Sequence, residues 1–156
     1  MNRYIIVTIV GICVLLIVVV FFFKNMHAQN DIRYSVIGDS YSNGEGASHD
    51  QSWPSLLTNH LKRDGVAITL VSNPSVTGWT SQQAIEQELP EYNNSNPTFA
   101  TLQIGVNDWV QGVDVHTFTH NLSFLIDAME EKLPDKHHLV LVTIPGFFGD
   151  SRWATI

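Results

Sequence analysis

The strongest constraint on the fold is a regular alternation of short apolar runs with segments of helical periodicity. Runs typical of β-strands lie at residues 32–37, 67–71, 99–104 and 139–144. Apolar side chains at helical spacing lie between them, in residues 53–64, 81–88 and 115–132. Strands that alternate with helices form a parallel sheet with helices on both faces. The sequence therefore predicts a three-layer, flavodoxin-like α/β domain.

Three local features refine this prediction. The last apolar run, residues 139–144, is rich in β-branched residues, which predicts a buried fourth strand. Residues 91–97 are polar and rich in turn-forming residues, which predicts a surface loop before the third strand. Only eleven residues follow Pro145, so we expect the domain to be incomplete at its C-terminus.

An apolar segment precedes the α/β pattern. Residues 4–23 carry no charged side chain, and a helix of that length, at about 1.5 Å per residue, covers a hydrocarbon core of about 30 Å. The sequence predicts a transmembrane anchor or uncleaved signal at residues 1–24, a linker at 25–30 and the α/β domain at 31–156. A cleaved secretory signal is the alternative. The flanking basic residues are nearly balanced, so they leave the orientation open.

The charge of the chain excludes some partners. It has 15 acidic and 8 basic side chains and a formal net charge of −7 at pH 7, which disfavours nucleic acid and anionic surfaces. This acidity and the N-terminal position of the apolar segment favour a domain outside the cytoplasm. The single cysteine, Cys13, lies in the apolar segment. It allows neither a disulfide framework nor a thiolate metal cluster within the chain.

Polar segments follow three of the predicted strands. Residues 38–42 (Gly-Asp-Ser-Tyr-Ser) follow the first strand, residues 73–78 (Asn-Pro-Ser-Val-Thr-Gly) the second, and residues 105–108 (Gly-Val-Asn-Asp) the third. In open α/β sheets the active site lies at the carboxyl ends of the strands. We therefore expect these three segments to converge at one edge of the sheet.

These segments supply the residue types of an acyl-transfer site. Ser40 offers a hydroxyl nucleophile, which stays weak until a base removes its proton. Gly78 offers a backbone N–H and Asn107 a side-chain amide, and both can stabilise a developing oxyanion. Taken singly, each residue also fits an ordinary turn or helix cap. Their joint placement after three consecutive strands favours a catalytic site.

The three segments resemble the first three sequence blocks of the GDSL, or SGNH, hydrolase family. Residues 99–108, Phe-Ala-Thr-Leu-Gln-Ile-Gly-Val-Asn-Asp, are especially similar to the third block. The resemblance implies that Ser40 is the nucleophile and that its own N–H, the Gly78 N–H and the Asn107 amide form the oxyanion hole. It also implies hydrolysis of carboxylic esters, such as lipids, acylated sugars or small esters, with no metal ion and no organic cofactor.

The sequence departs from the family at its C-terminal end. The family's last block, Asp-x-x-His, supplies the base and the residue that orients it. Here residues 150–153 read Asp-Ser-Arg-Trp, with tryptophan in place of the histidine. Truncation of the chain explains this departure most simply. A site without its base loses several orders of magnitude in rate, so we expect a poorly active protein.

Other histidines are weak substitutes for the base. His49 lies in the loop after Ser40 and is the least unfavourable of them. The rest are expected on helix surfaces or at the opposite edge of the sheet: His60, His116, His120, His137 and His138. His116 and His120 share a helix face, but no third ligand that would complete a metal site is evident.

The sequence leaves three functional hypotheses open. The first is a membrane-tethered, extracytoplasmic serine esterase whose membrane contact is residues 4–23. The second is an inactive module of the same fold that binds ligands, or a non-functional fragment. The third is a single-pass protein with a vestigial domain. Tyr41, Trp79 and Trp109 lie next to the motif residues and are candidates for a substrate pocket, although loop packing explains them equally well.

Overall fold

The computed structural model describes residues 13–20 and 31–144. Residues 13–20 form a helix with exposed side chains, and they belong to a different compact unit from the α/β domain. In these two described stretches no helix is long and apolar enough to cross a membrane. Most of the span predicted at residues 4–23, the linker at 25–30 and the segment at 150–153 lie outside the described residues.

Four parallel strands form the central sheet. In chain order they are β1 (Ile32–Gly38), β2 (Ile68–Ser72), β3 (Phe99–Gln103) and β4 (Leu139–Leu141). Their spatial order is β2-β1-β3-β4, and all three pairings are parallel. The predicted parallel sheet is therefore confirmed. The two central strands, β1 and β3, carry the first and third motif segments at their carboxyl ends.

Helical segments connect the strands. They are α1 (Ser40–Asn43), α2 (Trp53–Arg63), α3 (Ser81–Gln83), a π turn (Ala84–Glu88), α4 (Leu89–Asn94), α5 (Val106–Gln111) and α6 (Val115–Lys132), with 3₁₀ turns at His49–Gln51 and Lys136–His138. The last long helix has the predicted bounds. The loop predicted at 91–97 is wrong in its first half, because the helix continues through Asn94.

Helices cover both faces of the sheet, as predicted. Successive residues of a strand face opposite sides, and β1 shows this directly. Val36 packs in a cluster with Trp53 and Leu57 of α2. Ile37 packs in a second cluster with Leu125 of α6 and other apolar residues. Each face of β1 therefore has its own apolar core.

The fourth strand is less buried than its sequence indicates. Leu139 is half-buried, but Val140 and Leu141 are 44% and 53% exposed. In the part of the chain that the structure describes, β4 pairs only with β3 and forms an edge of the sheet. The prediction of a buried strand is wrong, because an apolar run does not reveal whether its strand lies at the centre or the edge.

Candidate active site

The first and third motif segments emerge side by side from the sheet. Gly38 of β1 is paired with Gln103 of β3, so both strands end at the same level. The side chains beyond them are also joined, because Ser42 Oγ donates to Gln103 Oε1 at 3.2 Å. Trp53 Nε1 donates to the same oxygen at 3.0 Å. Ser40 and Asn107 therefore both lie a few residues beyond this shared edge.

The second motif segment is tied to the other two. Asn73 Nδ2 donates to the Ser42 carbonyl oxygen at 2.9 Å, which links the second segment to the first. Asn107 Nδ2 donates to the Trp79 carbonyl oxygen at 2.9 Å, which links the third segment to the second. Gln111 Nε2 adds a bond to the Gly78 carbonyl oxygen at 3.0 Å. The structure thus brings the three predicted segments together.

The nucleophile turn is built from Gly38, Asp39 and Ser40. Asp39 is the N-cap of α1, and its Oδ1 accepts the Tyr41 N–H at 3.1 Å. Ser40 is the first residue of that helix and is half-buried. A Cβ at Gly38 would meet Ser42 Cβ at 2.6 Å, so only glycine fits there. Asp39 therefore caps α1, whereas the role of Ser40 as nucleophile stays a prediction.

The predicted oxyanion donors lie on turns that require glycine. Gly78 is half-buried and has a φ of +86°, in the left-handed region. Gly105, two residues before Asn107, has a φ of +129°, and a Cβ there would meet the Phe118 ring at 2.8 Å. The Asn107 amide has two N–H bonds, and the bond to Trp79 uses one of them. Their function as oxyanion donors stays a prediction.

A buried network fixes the residue after Asn107. Asp108 is fully buried, and its two oxygens accept the Ser81 N–H at 2.8 Å and the Ser81 hydroxyl at 2.5 Å. Asn121 Nδ2 donates to Ser81 Oγ at 3.1 Å. This network anchors the third segment to α3 and α6. The amino-acid sequence does not reveal this network, because no local pattern shows that Ser81 and Asn121 face Asp108.

A second buried acidic group lies at the end of β1. Glu88 is fully buried, and its Oε2 accepts the Gly38 N–H at 2.9 Å. Burial raises the pKa of Glu88 to about 8, and the charge of Asp39 contributes to that rise. Burial also raises the pKa of Asp39. Glu88 was missed from the sequence, where it is one of two acidic residues in the helix predicted at 81–88.

No described histidine of the domain takes part in these buried hydrogen bonds. All six between residues 31 and 144 are exposed, and none forms a hydrogen bond with Ser40. Asp135 and His138 have the Asp-x-x-His spacing, but they precede β4, and His138 Nδ1 lies 3.0 Å from the Thr98 carbonyl oxygen. His138 therefore lies at the amino edge of the sheet, where β3 begins. In the described parts of the chain, no three His, Cys, Asp or Glu side chains are placed to share a metal ion.

The three aromatic candidates for a substrate pocket are half-buried. Tyr41 lies in α1, Trp109 lies in α5, and Trp79 accepts the Asn107 hydrogen bond through its carbonyl oxygen. Each of them directly follows a residue of the motif segments. Their contact with a substrate stays a prediction.

Fold and site together define an α/β protein with a serine-containing turn after its first strand and an asparagine-containing turn after its third. A family model described as the GDSL-like lipase/acylhydrolase family matches residues 36–155. The chain belongs to this family, and the predicted membership is confirmed.

Individual proteins support the same assignment. The chain is similar to an arylesterase of Vibrio mimicus, with 30% identity over 117 residues, 75% of this chain and 58% of that protein. It is similar to thioesterase 1/protease 1/lysophospholipase L1 of Escherichia coli K12, with 31% identity over 77 residues, 49% of this chain and 35% of that protein.

The fold is also found among solved structures. The psychrotrophic esterase EstA from Pseudoalteromonas sp. superimposes with a TM-score of 0.64 at 24% identity, over 73% of this chain and 60% of that one. At this identity the likeness concerns the fold. The chain thus spans less than two thirds of the length of each of these proteins.

Proposed function

We propose that this chain is a serine esterase or acyl hydrolase that cleaves carboxylic esters through Ser40. The observation that carries the proposal is the set of hydrogen bonds joining the three strand-end segments, above all that between Asn107 and Trp79. This arrangement puts a hydroxyl, a glycine N–H and a carboxamide at one edge of the sheet. Membership of the GDSL-like family supports the assignment.

The reaction follows from these groups. Ser40 Oγ attacks the acyl carbon, and the carbonyl oxygen becomes an oxyanion that the Ser40 N–H, Gly78 N–H and Asn107 amide stabilise. Collapse of this intermediate breaks the ester C–O bond and releases the alcohol, leaving the acyl group on Ser40. Water then attacks the acyl-enzyme and releases the acid. No metal ion or organic cofactor takes part in this proposal.

The Ser40 proton needs an acceptor when the first bond forms. No described histidine forms a hydrogen bond with Ser40, so in this proposal the proton passes to water or buffer. Turnover is then slower by several orders of magnitude than with a positioned imidazole. The same observation favours a second candidate function, a module that binds esters without turning them over.

The substrate class is proposed from the relatives and the aromatic residues. Proteins named as an arylesterase and a thioesterase are similar to this chain. Tyr41, Trp79 and Trp109 offer apolar surface beside the motif residues. We propose short aryl esters as the first substrates to test, together with short acyl thioesters, in which the same step breaks the C–S bond and releases a thiol.

The proposed location is the outer side of a membrane. The uncharged residues 4–23 and the acidic remainder of the chain support a tether with an extracytoplasmic domain. Fractionation of cells that express the full chain tests this location. We expect the protein in the membrane pellet after alkaline carbonate, accessible to protease added outside. Recovery of a shortened protein in the medium would indicate a cleaved signal instead.

Labelling of the serine tests the chemistry. The full chain in detergent is treated with a fluorophosphonate, and the labelled residue is mapped by mass spectrometry. We expect labelling at Ser40 and none in Ser40→Ala. Ser123→Ala is the matched control, since Ser123 is an exposed serine on α6. Equal labelling of Ser40→Ala and the wild type would contradict the proposal, and ester binding without labelling would favour the binding module.

A further inference from the structure

Glu88 holds the backbone immediately before the nucleophile turn. It is fully buried, and its Oε2 accepts the Gly38 N–H at 2.9 Å. The pairing of β1 with β2 ends at Ser35, three residues before Gly38. The Glu88 side chain therefore supplies an acceptor for the Gly38 N–H beyond the end of that strand pair. Gly38 lies two residues before Ser40. A shift of the Gly38 peptide therefore moves the nucleophile.

An unusual turn of helix places Glu88 there. It is the last residue of the π turn, which joins α3 to α4. π turns are rare and are found frequently at functional sites. Here Glu88 and Leu89, two consecutive residues, are both buried. This helix thus presents a carboxyl group to the end of β1, where an apolar side chain would be the ordinary choice.

The charges around Glu88 are acidic. Those that act on it are Asp39, at the end of β1, and Glu91, in α4. The α3 segment brings no titratable side chain to the π turn. The long helix α6 also packs against this turn, and its buried residues do not titrate: Phe118, Asn121, Leu125 and Met129. Glu88 is therefore a buried acid that accepts the Gly38 N–H and whose charged neighbours, Asp39 and Glu91, are acidic.

These surroundings keep Glu88 neutral at ordinary pH. Burial raises its pKa to about 8, opposed by the Gly38 N–H and reinforced by the charges of Asp39 and Glu91. Burial raises the pKa of Asp39 as well. Glu88 Oε1 and Asp39 Oδ2 are both buried without a hydrogen-bond partner among the described residues. Loss of the Glu88 proton thus adds a charge near an acid that is itself poorly solvated.

We propose that Glu88 is a positioning residue for Ser40, and that its carboxyl group holds the Gly38 peptide in the geometry that makes the serine reactive. This inference rests on the proposed function of Ser40 as nucleophile. When Glu88 ionises, its charge repels Asp39, which caps the helix that begins at Ser40. The same charge opposes an oxyanion on the substrate. The reactivity of Ser40 therefore falls as the pH rises through about 8.

The pH profile of serine labelling tests this role. The rate of fluorophosphonate labelling of the full chain is measured from about pH 6 to about pH 10 in the wild type, Glu88→Gln, Glu88→Leu and Glu86→Gln. Glutamine keeps an acceptor for the Gly38 N–H but cannot ionise. Glu86→Gln is the matched control, because Glu86 is an exposed acid on the same π turn.

The four proteins are expected to show three different pH profiles of labelling. The wild type and Glu86→Gln lose about tenfold in labelling rate on the alkaline side, with a midpoint near 8. Glu88→Gln keeps its rate through this range. Glu88→Leu labels about tenfold more slowly at every pH, because the Gly38 N–H loses its acceptor. If Glu88→Leu does not fold by circular dichroism, the comparison with Glu88→Gln decides alone.

Two readouts separate the failure of this inference from failure of the proposed function. The first is the rate of labelling at Ser40. The second is the chemical shift of the Gly38 amide proton, which follows the ionisation of its acceptor without any reaction at Ser40. A Gly38 shift that titrates in the wild type and not in Glu88→Gln, with no labelling at Ser40, would overturn the proposed function. An alkaline loss of labelling that is unchanged in Glu88→Gln would overturn the role of Glu88.

Discussion

Two fully buried aspartates lie next in sequence to predicted catalytic residues. They differ in how many hydrogen bonds their carboxylate oxygens accept. Asp108 follows Asn107, and both of its oxygens accept hydrogen bonds from Ser81. Asp39 precedes Ser40. Within the described residues its Oδ1 accepts one bond, from the backbone of the helix that it caps, and its Oδ2 accepts none.

The difference assigns separate physical tasks to the two sides of the site. A buried carboxylate whose two oxygens both accept hydrogen bonds is held rigidly, so Asp108 suits the support of a fixed donor such as Asn107. A buried carboxylate with an unsatisfied oxygen is sensitive to nearby charge. On the Ser40 side, we therefore expect the buried carboxyl groups of Asp39 and Glu88 to make the position of the nucleophile depend on pH.

The pH dependence of stability is expected to show the largest effect. The Glu88 carboxyl titrates near 4.5 when exposed and near 8 in the folded protein. Between these values the folded protein holds a proton that the unfolded chain has released, so the free energy of unfolding falls as the pH rises and levels off above about 8. The loss is at most about 5 kcal/mol, at about 1.4 kcal/mol per pH unit.

Urea titrations of the wild type and Glu88→Gln measure this loss. We expect the variant to lose most of the slope between those pH values and to be the more stable protein near pH 8. Parallel slopes for both proteins would show that Glu88 is not the group responsible.

Removal of the Asn107 amide is expected to have the next largest effect. Asn107→Ala takes away a donor that is expected to act on the oxyanion, so the rate of Ser40 labelling falls about 100-fold, about 3 kcal/mol in the barrier. The lost bond to Trp79 costs only about 1 kcal/mol of stability. Labelling kinetics and thermal melts measure the two effects, and a rate that fell only in proportion to unfolding would refute the donor role.

Replacing each buried aspartate with asparagine tests whether their different hydrogen bonding has different effects on stability. Asp108→Asn replaces an acceptor oxygen with an N–H₂ group that faces a Ser81 donor, so we expect a loss of about 2 kcal/mol. Asp39→Asn keeps one acceptor for the helix cap and removes a poorly solvated charge. We expect a change of less than about 0.5 kcal/mol from this variant at neutral pH. Equal losses of stability in the two variants would contradict the proposed difference between Asp108 and Asp39.

The smallest expected effect concerns Gln111. Its side chain is exposed and donates to the Gly78 carbonyl oxygen, so Gln111→Ala removes a solvent-exposed bond worth about 0.5 kcal/mol. The rate of Ser40 labelling is expected to fall less than about threefold. A larger fall would mean that Gly78 depends on Gln111 for its position.

The sequence predicted the parts of the fold that depend on local pattern. The helix at Val115–Lys132 has the predicted bounds, because its apolar spacing and flanking residues are unambiguous. The convergence of the three motif segments follows from the geometry of parallel sheets, and hydrogen bonds join these segments or the residues next to them. The roles of Ser40, Gly78 and Asn107 remain predictions, since they require a bound substrate.

Features that depend on distant neighbours were not predicted. The exposure of Val140 and Leu141 depends on what covers β4, which their apolar character does not specify. Burial of Glu88 depends on the π turn, and the charged residues around it predict an exposed helix face. The partnership of Ser81 with Asp108 joins residues 27 positions apart. Side-chain pairs at such separations leave no periodic signal in the sequence.

The most direct test of the site is the crystal structure of the full chain after fluorophosphonate treatment. The bound phosphonate carries an oxygen where the oxyanion would form. We predict a covalent bond from Ser40 Oγ to phosphorus, with that oxygen within about 3 Å of the Gly78 nitrogen and Asn107 Nδ2. An adduct whose oxygen faces solvent, with both groups directed elsewhere, would contradict the assignment of one acyl-transfer site to the three segments.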